Sequence, residues 1–163
     1  MTILRGRTGG GSLVCLSLVL AFAGCGGKEL VSLSASVNEG RLTLERAALG
    51  TALTGSFELV LTLGSEAPSE TLASLAGISL VRGGGELRSS VDAVARPAFP
   101  IALEPGASTS VSFAIDEAEL LPEAEAEELC SGPLQWVVIV TDSLSDGKTT
   151  TTRSAAFSPS CMP

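Results

Sequence analysis

Apolar and polar residues alternate with period two over most of the chain beyond residue 30, the repeat of a strand with one face in a core and one in water. Val31, Leu33, Ala35 and Val37 share one parity, and Ser32, Ser34 and Ser36 the other. Asn38-Glu39-Gly40 predicts a turn, because Asn and Gly tolerate positive φ. Beyond it, Leu42 and Leu44 alternate with Arg41, Thr43 and Glu45. The longest run is LTGSFELVLTL (53–63), with Leu53, Gly55, Phe57, Leu59, Leu61 and Leu63 on one side and Thr54, Ser56, Glu58 and Thr62 on the other. Leu and Glu are weak strand formers, but a helix would scatter the apolar set around its surface, so the spacing predicts a strand.

SEAPSETLASLAG (65–77) reads as a loop with one helical turn over 70–75, followed by a short strand at 78–81, a turn at Gly83-Gly84-Gly85 and a further segment over 86–94. Arg96-Pro97 and Phe99-Pro100 interrupt pairing, since proline cannot donate to a ladder. IALEPGASTSVSFAID (101–116) is an apolar start, a Pro-Gly turn and a strand with Val111, Phe113 and Ile115 inward. LLPEAEAEEL (120–129) is the one good helix, with Pro122 suited to its first position and acids favoured near its N-terminus. LQWVVIVTD (134–142), apolar on both faces, is expected to be a central strand. It forms a hairpin with TTTTRSAAF (149–157) across Ser145-Asp146-Gly147-Lys148, because Asp-Gly between strand-like runs signals a tight turn. Within TTTT, alternate threonines face solvent and sheet.

Seven to nine strands, Pro/Gly turns and a closing hairpin make an all-β chain, an antiparallel immunoglobulin-like β-sandwich with one short helix before the penultimate strand. A small β-barrel is the alternative. The phrase at 101–116 resembles the turn-then-strand of many bacterial immunoglobulin-like domains. The Cys…Trp…Cys spacing of antibody domains is absent, so the label is architectural.

Upstream of the strands the pattern changes. Arg5 and Arg7 precede an apolar run, 13–23, broken only by Ser17. A basic start, a short apolar stretch and small residues form a secretory leader, and eleven residues are too few to span a bilayer, which takes about twenty. Ala21-Phe22-Ala23 would suit an ordinary cut before Gly24. Phe22-Ala23-Gly24-Cys25 resembles the lipobox of bacterial lipoproteins, with Phe22 where leucine is usual. That resemblance covers residues 1–27 and implies cleavage before Cys25 and acyl chains on the cysteine. The expected organisation is a leader over 1–24, a lipidated Cys25 with a short tether over 25–29, and one sandwich domain over 30–163. The tether reaches at most about 17 Å. The same resemblance implies a bacterial envelope location, and Gly26, where an Asp is associated with inner-membrane retention, favours the outer membrane.

Cysteine parity favours the lipid. Cys15 leaves with the leader. An ordinary cut leaves Cys25, Cys130 and Cys161, an odd number in an oxidising compartment, whereas lipidation of Cys25 leaves two that can pair. A two-residue Asp146-Gly147 turn pairs 145 with 148, and a four-residue loop between Ser143 and Lys148 would bring Cys130 and Cys161 into register. The pair is thus expected near opposite ends of one hairpin, bridged between loop ends because Pro133 and Pro159 interrupt the ladder.

Composition narrows the chemistry. The formal charge of −8 becomes −10 once Arg5 and Arg7 are cut away. An acidic domain repels phosphate backbones and anionic head groups, so no nucleic-acid partner is expected and membrane attachment must come from the anchor. There is no His and no Tyr, and Trp136 is the single tryptophan. Without His the commonest general base and metal ligand is missing, and Lys28 and Lys148, in tether and turn, are poor candidates to replace it. Asp116, Glu117, Glu119, Glu123, Glu125, Glu127 and Glu128 crowd thirteen residues with no base among them. They read as a solvated cap, a docking surface for a basic envelope partner, or, less well, a calcium or extracellular-polymer site, since helical spacing splays carboxylates. DSLSDG (142–147) departs from a calcium loop at Leu144 and at Arg153, where the bidentate Glu belongs. A carboxylate-pair hydrolase is the remaining enzyme class, but sugar sites want aromatic platforms and the tryptophan sits in expected core. The expectation is a lipid-anchored, non-catalytic envelope protein that works by protein contact or as a structural accessory, with no cofactor, no metal and no catalytic residue.

Overall fold

The computed structural model describes residues 33–117, 119–146 and 148–162. The leader, Cys25, the tether and Val31, with Ala118, Gly147 and Pro163, lie outside the described residues.

Ten strands and one helix follow in the order β1 (Leu33–Ala47), β2 (Gly50–Leu63), β3 (Thr71–Arg82), β4 (Gly85–Arg88), β5 (Ala93–Arg96), β6 (Ile101–Leu103), β7 (Ser108–Asp116), α1 (Glu123–Cys130), β8 (Gln135–Asp142), β9 (Thr149–Arg153) and β10 (Ser160–Met162). One sheet runs β10-β1-β2-β7-β5; the other runs β4-β3-β8-β9, with β6 also on β3. With β1, β2, β3, β4, β5, β7, β8 and β9 taken as strands A, B, C, C′, D, E, F and G, these are the sheets A-B-E-D and C′-C-F-G of an immunoglobulin-like sandwich. The sheets stay open, which excludes the barrel. The helix lies between E and F, ahead of three strands and not of the expected two, because β10 follows the closing hairpin, and Pro122 is its extended N-cap instead of its first residue.

Two bulges explain where period two breaks. In β1, Asn38 pairs with Glu58 and Arg41 with Ser56, so Glu39 and Gly40 together oppose Phe57. One inserted residue reverses parity, which keeps both Val37 and the even-numbered Leu42 and Leu44 in the core. The expected turn at 38–40 is therefore a bulge inside one strand, with Glu39 at φ 52°. Gly40 permits it, since a Cβ there would stand 2.8 Å from Trp136 Cδ1 and 2.9 Å from Phe157 Cδ1. In β3, Leu75 pairs with Val140 and Gly77 with Ile139, leaving Ala76 as the extra residue. Thr71 and Ala73 face inward before it, Ile78 and Leu80 after it. The loop and helical turn expected over 65–77 give way to strand from Thr71, because burial of that face and pairing with β8 outweigh the local helix preference of Leu, Ala and Glu.

The further segment expected over 86–94 divides between sheets: β4 closes on β3, and β5 pairs β7 on the opposite sheet. Between the sheets, rings join in series, Phe99 to Phe113 (6.1 Å), Phe113 to Phe57 (4.5 Å), Phe57 to Trp136 (5.2 Å) and Trp136 to Phe157 (5.9 Å). Trp136, fully buried, is the core residue expected and not a surface platform.

The closing hairpin forms with a wider loop than expected. Thr141 pairs with Thr149, so seven residues lie between them. Asp142 closes the loop early, its Oδ1 accepting the N–H groups of Leu144 (2.9 Å) and Ser145 (3.0 Å) and its Oδ2 the Ser145 hydroxyl. Such an Asx-turn competes with a two-residue Asp-Gly turn, and Leu144 packs on the core as a result.

Candidate functional site

The two ends of the sandwich differ. Leu33 opens β1 opposite Leu63, beside the loops at 64–70, 104–107 and 143–148. Ala47 closes β1 at the other end, where the β1–β2 turn, segment 117–122 and α1 gather. Thr51 N–H donates to Leu121 O (3.0 Å) and Leu121 N–H to Thr51 O (2.8 Å), fastening the helix approach to β2.

All seven acids named from the sequence lie at this second end, but they do not act as one surface. Glu117 is buried and held by Arg88, Nε to Oε1 at 3.1 Å and Nη2 to Oε2, a bidentate pair. Arg88 Nη1 also reaches Glu125, so one arginine ties β4 to the end of β7 and to α1. Partial burial pulls the Arg88 pKa down, and the hydrogen bonds and charges of Glu125 and Glu117 more than offset it, leaving the guanidinium above its ordinary range. A group whose pKa rises on folding loses that stability only as pH climbs through the folded value, so proton release from the Arg88 guanidinium itself adds no pH dependence through neutral conditions. Arg46 pairs with Glu123 in the open, where such a pair contributes about 0–1 kcal/mol. Asp116, Glu119, Glu127 and Glu128 face solvent.

Helix α1 is short and rests on Ala126 and Leu129. Its acids sit favourably in the first turn, and its last turn has no base of its own. Arg82 of β3 supplies one, donating from Nη2 to Leu129 O (2.9 Å) and Gly132 O (3.2 Å) and from Nη1 to Ser131 Oγ (2.7 Å). Sequence reading missed Arg46, Arg82 and Arg88. Each lies at least 35 residues before its partner except Arg88 with Glu117, 29 apart, and no local pattern reports such a pairing.

Cys130 and Cys161 form a disulfide with Cα atoms 6.2 Å apart. Its setting differs from the hairpin ends expected. Cys130 ends α1, and Cys161 lies in β10, which leaves β9's sheet and runs parallel to β1 through Thr43↔Ser160, Leu44↔Cys161 and Glu45↔Met162. The bridge thus pins the C-terminal strand to the helix across the edge of the A-B-E-D sheet. A shallow groove of about 160 Å³ opens beside it, floored by Leu44 and Ala126.

Among the described residues no three His, Cys, Asp or Glu side chains gather to hold a metal. Asp142 is spent on its own loop, and three of the seven acids on arginines. Neither a protein-family model nor a curated protein sequence matches the chain.

Proposed function

We propose that this protein is a lipid-anchored component of a bacterial cell envelope, on the outer membrane in preference to the inner, that performs no catalysis and acts by contact with another envelope protein. The lipobox residues Phe22-Ala23-Gly24-Cys25 and the even cysteine count after a cut at Cys25 support the anchor. One structural observation carries the mode of action: β1 runs fifteen residues from Leu33 to Ala47, about 45 Å at strand rise. A chain tethered ahead of Leu33 therefore holds its membrane-side loops low and displays α1 and the solvent-facing acids at the far end. Engagement of Glu117, Glu123 and Glu125 by arginines weighs against calcium as the alternative ligand.

Substituting Cys25→Ser tests the anchor. The variant is expected to remain unprocessed, to take up no labelled palmitate and to lose membrane partitioning through lipid. Processing and partitioning equal to wild type would overturn the reading.

A further inference from the structure

Of the large apolar side chains exposed among the described residues, two leucines lie together at the far end. Leu49, at the tip of the β1–β2 turn, is 91% exposed, and Leu120 is 40% exposed. They are neighbours by construction, because Gly50 brings the turn against the helix approach so closely that a Cβ there would stand 2.9 Å from Leu120 Cβ and from Leu121 O. Ala48, Pro122 and Ala124, all exposed, widen the apolar tip. Glu45, Asp116, Glu119, Glu127 and Glu128 are exposed on the segments that flank it, and the Arg46–Glu123 pair is internally balanced.

We propose that this tip is the contact surface of the protein and that its occupant is a protein surface offering an apolar pocket with a basic rim; the inference rests on the partner-contact reading above. Charge selects this occupant. A second copy would set one acidic rim against another, and an anionic lipid surface would repel the same carboxylates. A basic rim is steered toward them, and burying exposed leucines in a desolvated pocket is the kind of contact that dominates binding. Distance agrees, since the tip lies a strand's length from Leu33, the first described residue.

Three probes test it on the full chain by isothermal titration and nuclear magnetic resonance: an amphipathic 14-residue Leu/Lys peptide, its Ser/Lys analogue of equal charge, and phosphatidylethanolamine–phosphatidylglycerol vesicles. The Leu/Lys peptide is expected to bind at least tenfold tighter than the analogue, weaken as salt rises, and perturb resonances around the β1–β2 turn and α1. Leu49→Ser, at a side chain 91% exposed, is expected to weaken that affinity with unchanged thermal stability, and Leu49→Ser/Leu120→Ser to cost at least tenfold. Equal binding of both peptides, indifference to the double substitution, vesicle binding through the tip, or dimerisation that the substitution abolishes would each overturn the proposal. None of these outcomes bears on anchoring, which Cys25→Ser reads separately.

Discussion

The C-terminal strand β10 has little to hold it besides its disulfide. Its three residues are all exposed, and it makes three parallel pairs with β1. Replacing both cysteines, Cys130→Ser/Cys161→Ser, removes a cross-link between residues 31 apart in sequence. The chain-entropy relation assigns a loop of that size about 3.7 kcal/mol at 25 °C. For a domain of this length that is a fall in Tm of about 10–18 °C. Urea unfolding of the double variant, and of wild type with and without reductant, measures it. The expected result is a loss of about 3–4 kcal/mol, the same for the variant and for reduced wild type, with faster amide exchange confined to β10, residues 43–45 of β1 and the end of α1. A loss below about 1 kcal/mol, or exchange spreading evenly through both sheets, would refute the assignment of β10 as a strap whose stability comes from its cross-link.

Gly40→Ala places a methyl against Trp136 and Phe157, and overpacking of that kind costs about 1–3 kcal/mol; equilibrium unfolding without such a loss would deny the close approach of the bulge to the ring. Arg88→Met leaves the Glu117 carboxylate buried without its bidentate partner, a loss of about 1–3 kcal/mol. The companion Arg46→Met removes an exposed pair and is expected to cost under about 1 kcal/mol in the same assay. Equal losses for the two would contradict the difference in burial.

What could be read from the chain and what could not divide along a physical line. Strands with unbroken alternation were legible to within a few residues, β2 through Leu53 to Leu63 and β7 through Val111, Phe113 and Ile115, and β8 was legible around Trp136 as a run apolar on both faces. Where a bulge inserts one residue, the alternation reverses parity, and one strand reads as two pieces with a turn between them, as at Glu39-Gly40, or as a loop, as at Ala76. The helix was legible because Ala and Glu dominate a segment opened by Pro122. Its acids were visible as a cluster, but their state was not, because Arg46 and Arg88 reach them, and Arg82 reaches the helix C-terminus, only through the sheet pairing. Cysteine parity found the Cys130–Cys161 pair, while the path that joins them depended on β10 crossing to the opposite sheet, which no turn signal announces.

The proposed anchor holds the sandwich with its acidic, leucine-tipped end away from the membrane. Energy transfer from a fluorescent amino acid to acceptor lipids, with the lipid-bearing chain in vesicles, measures that orientation directly. A fluorophore at Glu66, in the loop beside the start of β1, is expected to be strongly quenched, and one at Ala124, on α1, weakly. Equal quenching at the two positions, or stronger quenching at Ala124, would contradict it.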